Sequence, residues 1–162
     1  MITQEEKDFA KLVNGHKSTI YTVCYMFSKD EDEVSDLFQE TLIHLWQGYS
    51  KFRGECSVNT WVYRVSLNTC ISMNRKKKKY GTQVKLDMNI SLFEDNDNDT
   101  KQIRQLYDRI HCLGPIDRAI ILLWLDNMSY EEIGAIMGIT VSNVSAKLFR
   151  IRQKLISMGT SK

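Results

Sequence analysis

No apolar run in the sequence is longer than the seven residues from Ala119 to Leu125, whereas a helix needs about twenty to cross a bilayer. A membrane-inserted protein is excluded on that ground. The first residues carry Glu5, Glu6, Lys7 and Asp8 where a secretory leader needs an apolar centre, so the expected location is the cytoplasm. The four cysteines, at 24, 56, 70 and 112, form no C-x-x-C pair, and an intracellular chain of this size does not need bridges. They are expected as reduced thiols. One proline and eight glycines exclude collagen-like and mucin-like chains. Catalytic signatures are missing too: there is no H-E-x-x-H, G-x-S-x-G, P-loop or Rossmann glycine pattern. His16 falls on a core stripe, and His44 and His111 have no partners at catalytic or metal-ligand spacing. No enzyme activity, metal or cofactor is expected.

What is present is charge in blocks. Residues 1–74 carry 7 basic and 10 acidic groups, and residues 75–85 carry six basic groups with no acid. Residues 86–100 hold five acids and no base, and residues 133–162 hold five basic groups and no acid. Two basic footprints with an acidic stretch between them point to separate partners, or to separate parts of one. Leu86 to Thr100 is rich in Asn and Asp and lacks apolar periodicity, so it reads as a flexible linker. Both flanking pieces are helical in period, and no segment alternates as a strand does. The expected fold is therefore all-α, with two small helical domains at 1–80 and 101–162 joined by an acidic linker at 81–100.

The end of the chain reads as a helix-turn-helix. Ser129 and Glu132 have capping-box spacing, and Tyr130, Ile133, Ile136 and Met137 form an inward face on which Gly134 permits close approach. Gly138 is suited to the left-handed conformation that stops a helix, Ile139 plugs the corner, and Thr140 caps a second helix. That helix buries Val144, Leu148, Ile151 and Leu155. Its outward face carries Ser142, Asn143, Ser145, Ala146 and Lys147, then Arg150 and Arg152. Small polar groups at the N-terminus with cations beyond match what a recognition helix presents to base edges and phosphates.

In the first piece, Trp61, Arg64, Asn68 and Arg75 recur at helical spacing, apart from the Val58, Val62, Val65 and Thr69 side. An aromatic interleaved with cations suits single-stranded nucleic acid. The alternative for Trp61 is an ordinary core position. Asp36 and Glu40 form an acidic pair at i, i+4, with Gln39 and Gln47 beside them. With no His on their face at ligand spacing, they fit a basic protein surface better than a metal.

Several linked motifs then carry a resemblance. Asp36-Leu-Phe-Gln-Glu-Thr41 with Leu45-Trp46 comes first, followed by Phe52-Arg-Gly-Glu55 and Thr60-Trp-Val-Tyr-Arg64 with Asn68. Ser129-Tyr-Glu-Glu-Ile133, Gly138-Ile-Thr140, Asn143-Val144 and Lys147-Leu-Phe-Arg-Ile151 complete the set. From about Phe9 to Ile156 the chain resembles an extracytoplasmic-function sigma factor. The resemblance implies an initiation factor that binds core RNA polymerase and both double- and single-stranded promoter DNA. An anti-sigma protein, if one exists, would cover the first domain.

Carried over by position, Asp36, Leu37, Phe38, Gln39 and Glu40 match the polymerase-binding segment. Phe52, Arg53, Gly54, Trp61, Arg64, Asn68, Arg75 and Lys76 match the part that opens and holds the minus-ten element. Ser142, Asn143, Ser145, Ala146, Lys147, Arg150 and Arg152 match the minus-thirty-five reader. Ser145 and Leu67 stand where many relatives carry a cation. A helix-turn-helix regulator that is not a sigma subunit is the competing reading; it would need neither the acidic helix nor the Trp-Arg-Asn stripe.

Overall fold

The computed structural model describes residues 1–80 and 98–160, with side chains for 1–76 and 101–159. Among the described residues there are seven helices and no strand: α1 (Gln4–Phe27), α2 (Glu31–Tyr49), α3 (Val58–Tyr80), α4 (Asn98–His111), α5 (Pro115–Leu125), α6 (Tyr130–Met137) and α7 (Val141–Thr160). None of them is long and apolar enough to cross a membrane. Most of the acidic stretch expected as a linker lies outside the described residues, but Asn98–Thr100 is already helical. Asn and Asp, which read as linker composition, also favour helix starts.

Local chemistry sets the helix ends. Thr3 and Glu6 form a reciprocal capping box, with the Glu6 amide on Thr3 Oγ1 at 3.2 Å and the Thr3 amide on Glu6 Oε2 at 2.7 Å. Asp30 caps α2 by accepting from the Asp32 amide at 3.1 Å. The three acids after it sit where the helix dipole favours negative charge. Gly114 precedes α5, and Pro115 occupies its first turn, where a missing N–H costs nothing.

Helices α1, α2 and α3 pack together around Ile20, Val23, Met26, Val34, Leu45, Val62 and Leu67. Buried hydroxyls there return a hydrogen bond to the preceding turn: Thr41 to the Leu37 carbonyl at 2.7 Å and Ser66 to the Val62 carbonyl at 2.7 Å. Cys24 and Cys70 are both free and fully buried in this core. The neighbouring Cys24 thiol, followed by burial, pushes the Cys70 thiol up. Helices α4 to α7 pack around Ile110, Leu123, Ile133, Val144, Leu148 and Ile151.

The two groups are not held apart. Helix α3 lies against α5 and α6, and α1 lies against α4 and α5. Helix α5 is the reason, because every residue from Arg118 to Leu123 is buried. At 100° per residue such a run turns through more than a full circle, so no single neighbour covers it. Helices α1, α3, α4, α6 and α7 all pack against it.

Candidate nucleic-acid interface

The turn between α6 and α7 is built from three local devices. Ser129 Oγ accepts from the Glu132 amide at 3.1 Å. Gly138 adopts φ 71°, ψ 34°, a left-handed conformation that a β-carbon penalises. The Thr140 hydroxyl accepts from the Asn143 amide at 3.1 Å. Gly134 is needed by the turn rather than by another helix, since a Cβ there would stand 2.7 Å from the Ile139 carbonyl oxygen. Along α7, Val144, Leu148, Ile151 and Leu155 face inward as expected. Ser142, Asn143, Ser145, Ala146, Arg150 and Arg152 are exposed, and Lys147 is half-buried. Two features went unread in the sequence. The Arg152 guanidinium lies 5.1 Å above the Trp124 ring, and Phe149 is 66% exposed among the cations.

In the first half, the exposed Trp-Arg-Asn stripe expected on α3 does not form. Trp61 is only 9% exposed. Its ring stacks on Phe52 with centroids 4.9 Å apart and planes at 28°, and it abuts Gly48 of α2, where a Cβ would lie 3.4 Å from its Cζ2. The 52–57 loop folds Phe52 over the indole, and α3 buries Thr60 to Tyr63 consecutively because it has neighbours on two sides. Val58, expected inward, is exposed instead. Arg64 is half-buried and donates from Nη2 to the Ala135 carbonyl of α6 at 2.6 Å. Asn68, Arg75 and Lys76 face solvent, as do Arg53 and Gly54, the latter at φ 72°. Leu67 is fully buried, so a cation missing at that position removes nothing from the surface.

On α2, Asp36 and Gln39 are exposed. Leu37 is not: at 6% exposure it belongs to the core, because it follows Val34 by three residues on the inward stripe. Phe38 is partly buried and lines a groove of about 630 Å³ between α1 and α2 with Lys17, Tyr21 and Val34. Glu40 meets His44 Nε2 at 3.4 Å, so a histidine does lie on this face, one turn beyond. The other ring nitrogen of His44 is 2.8 Å from Thr69 Oγ1 of α3. No group of three or more His, Cys, Asp or Glu is placed to hold a metal among the described residues. Ile43 and Trp46, unread as surface residues, are both exposed. Trp46 is propped by Phe9 at 5.0 Å and Tyr49 at 6.5 Å.

Polar contacts join the two halves. The Tyr63 hydroxyl donates to the Asp126 carboxylate; burial, reinforced by that carboxylate, pushes the phenol up. Arg118 is 8% exposed and has no carboxylate partner among the described residues. It donates to carbonyls of Met26 at 3.3 Å, His111 at 3.1 Å and Leu113 at 2.9 Å. It also lies 5.2 Å from the centre of the Phe27 ring. The ends of α1 and α4, where carbonyls lack intrahelical donors, thus converge on one cation. Burial lowers the affinity of Arg118 for its proton. His111 lies 2.7 Å from the Tyr107 carbonyl and 3.3 Å from the Tyr25 carbonyl, and burial holds its pKa below the ordinary value. Lys29 and Asp108 form an exposed pair at 3.4 Å.

Comparison with known proteins follows the same division. Residues 12–80 match the model of sigma-70 region 2, and residues 103–155 match that of sigma-70 region 4. The chain is 26% identical over 153 residues to the ECF RNA polymerase sigma factor SigE of Mycolicibacterium smegmatis, covering 90% of this chain and 59% of that one. It is 27% identical over 172 residues to the ECF RNA polymerase sigma factor SigW of Bacillus subtilis, covering 93% of this chain and 88% of the relative. Its fold matches the sigma factor RpoE of Bartonella quintana, solved with the anti-sigma factor NepR, at TM-score 0.76 and 20% identity over 96% of this chain and 99% of that one. With both regions present in order across most of its length, the chain belongs to the sigma-70 family, among the extracytoplasmic-function RNA polymerase sigma factors.

Proposed function

We propose that this chain binds core RNA polymerase and directs it to promoters, with residues 1–80 docking on polymerase and opening the minus-ten element and residues 101–162 reading the minus-thirty-five element. The observation that carries the reading is the α6–α7 turn. It presents small polar groups and then cations to solvent, on a chain that also exposes an acidic helix. Asp36 and Gln39, with Glu40 and the edge of Phe38, supply the polymerase face, and the buried Leu37 supports it from beneath. Arg53, Gly54, Asn68, Arg75 and Lys76 are accessible to an opened strand. Trp61 acts through Phe52, which it supports by stacking. Arg64 joins this set once it leaves Ala135. The chain performs no catalysis of its own, and an anti-sigma protein is one further partner, as for the Bartonella relative.

Footprinting tests this directly. With core polymerase, the chain should protect two promoter patches about 25 base pairs apart, with unpaired bases in the downstream one. Protection of a single patch without polymerase, unchanged on adding it, identifies a plain helix-turn-helix regulator instead.

A further inference from the structure

We infer that His44 is a positioning residue for polymerase docking: it holds the Glu40 carboxylate while both ring nitrogens carry protons and releases it when one proton leaves, so that binding to core polymerase tightens as pH rises. This rests on the reading above of Asp36 and Glu40 as a face for a basic polymerase surface. The protons around the ring decide it. The Thr69 hydroxyl donates to the Val65 carbonyl at 2.8 Å. His44 Nδ1 lies 2.8 Å from that same hydroxyl oxygen, and His44 Nε2 lies 3.4 Å from Glu40 Oε1. These three contacts need three hydrogens, whereas a hydroxyl and a neutral imidazole supply one each. All three therefore coexist only on the imidazolium, which imidazoles form and lose between about pH 5 and 8. When the proton leaves, one contact must open. Withdrawing the hydroxyl proton from Val65 would leave two oxygens in contact at a residue only 2% exposed. The Glu40 contact is the longest of the three, and the side chains of His44 and Glu40 are 42% and 41% exposed, so water can replace the ring there. Glu40 is the group set free.

No second acid competes for the ring among the described residues. On α2, Glu40 is the charged position one turn from His44, and on α3 the positions one turn from Thr69 are Val65, Ser66, Ser72 and Met73. Helix α1, also packed on α2, meets it through Phe9 at Trp46 and through the buried Cys24 at Thr41. None of its acids stands within ion-pair distance of His44. Asp36, two turns before His44 and exposed, has no ion-pair partner among the described residues. With the ring protonated, the face offers Asp36 while Glu40 is held against a new cation. With the ring neutral, it offers both carboxylates. A basic partner favours the second form, and by reciprocity its binding expels the proton.

The test is the Kd of the full chain for core polymerase, measured from about pH 6 to about pH 8 for wild type, His44→Gln and His44→Arg. Over that range wild type should weaken roughly fivefold towards acid relative to the glutamine variant, a factor set by one partly exposed ion pair. His44→Gln has no proton to gain and should keep the affinity of wild type at the alkaline end. His44→Arg carries a permanent cation and should keep that of wild type at the acid end. Circular dichroism of all three should coincide at both ends, which separates altered charge from lost helix. Wild-type and His44→Gln profiles that run parallel overturn the inference, as does an arginine variant that binds as tightly as the glutamine variant at the alkaline end. Failure of the function proposed above shows separately, as a wild-type chain that does not bind core polymerase at any pH.

Discussion

Replacing Gly134 with alanine should destabilise the chain, although alanine is the better helix former. An added Cβ would stand 2.7 Å from the Ile139 carbonyl oxygen and 3.8 Å from Val144 Cγ2. Carbon and oxygen ordinarily approach no closer than about 3.3 Å, so the turn must move by roughly half an ångström. It is poorly able to do so. The Gly134 carbonyl accepts both the Gly138 amide at 2.8 Å and the Ile139 amide at 3.0 Å, tying the glycine to the atoms its side chain would push away. Alanine recovers about 1 kcal/mol of helix propensity. Overpacking against backbone, which has no rotamer to change, costs about 2–3 kcal/mol. The net loss is about 1–2 kcal/mol, a fall in Tm of roughly 2–8 °C for a chain of this length. Because α6 and α7 are pried apart, binding to the upstream promoter element should weaken as well. Thermal unfolding followed by circular dichroism reads the first effect. A Tm equal to or above wild type would refute the reasoning.

Trp61→Ala should cost about 3–5 kcal/mol of stability, as for a buried aromatic, whereas Phe52→Ala should cost less and impair strand opening at retained fold; denaturant unfolding beside permanganate probing of unpaired thymines separates them. His111 is held neutral by burial, so below the ordinary histidine value of 6.5 the unfolded chain takes up a proton that the folded one resists. Stability should then be full above that pH and decline as pH falls beneath it, and His111→Gln should flatten the decline; parallel Tm-against-pH curves for both proteins would contradict this. Arg150→Ala should weaken binding of the second half across all sequences and lower the salt slope by about one if Arg150 meets a phosphate. An unchanged slope removes it from that role.

Features set by neighbouring residues were legible in the sequence. Ser129 with Glu132, Gly138 and Thr140 each act within a turn, and each holds the expected hydrogen bond or dihedral angle. The outward groups of α7 could be read because its apolar stripe is narrow, leaving one possible inward face. Helix α3 defeated the same reasoning: Trp61, Val62 and Tyr63 are all buried, and periodicity cannot locate a face when a helix has neighbours on two sides. Leu37 was assigned with the motif around it, although its register with Val34 already pointed inward. The packing of the two halves was the hardest to foresee, since Arg64 meets Ala135 and Arg118 meets Met26 across long stretches of chain. One sign was present: the unbroken apolar run of α5 exceeds what a single covered face requires.

The most direct measurement is transcription from a mixture of genomic fragments by purified core RNA polymerase, with transcript 5′ ends mapped in the presence and absence of this chain. The chain should create discrete start sites, each preceded by the same two short sequence elements at constant separation. Initiation no different from that of core polymerase alone would contradict its role as a sigma subunit.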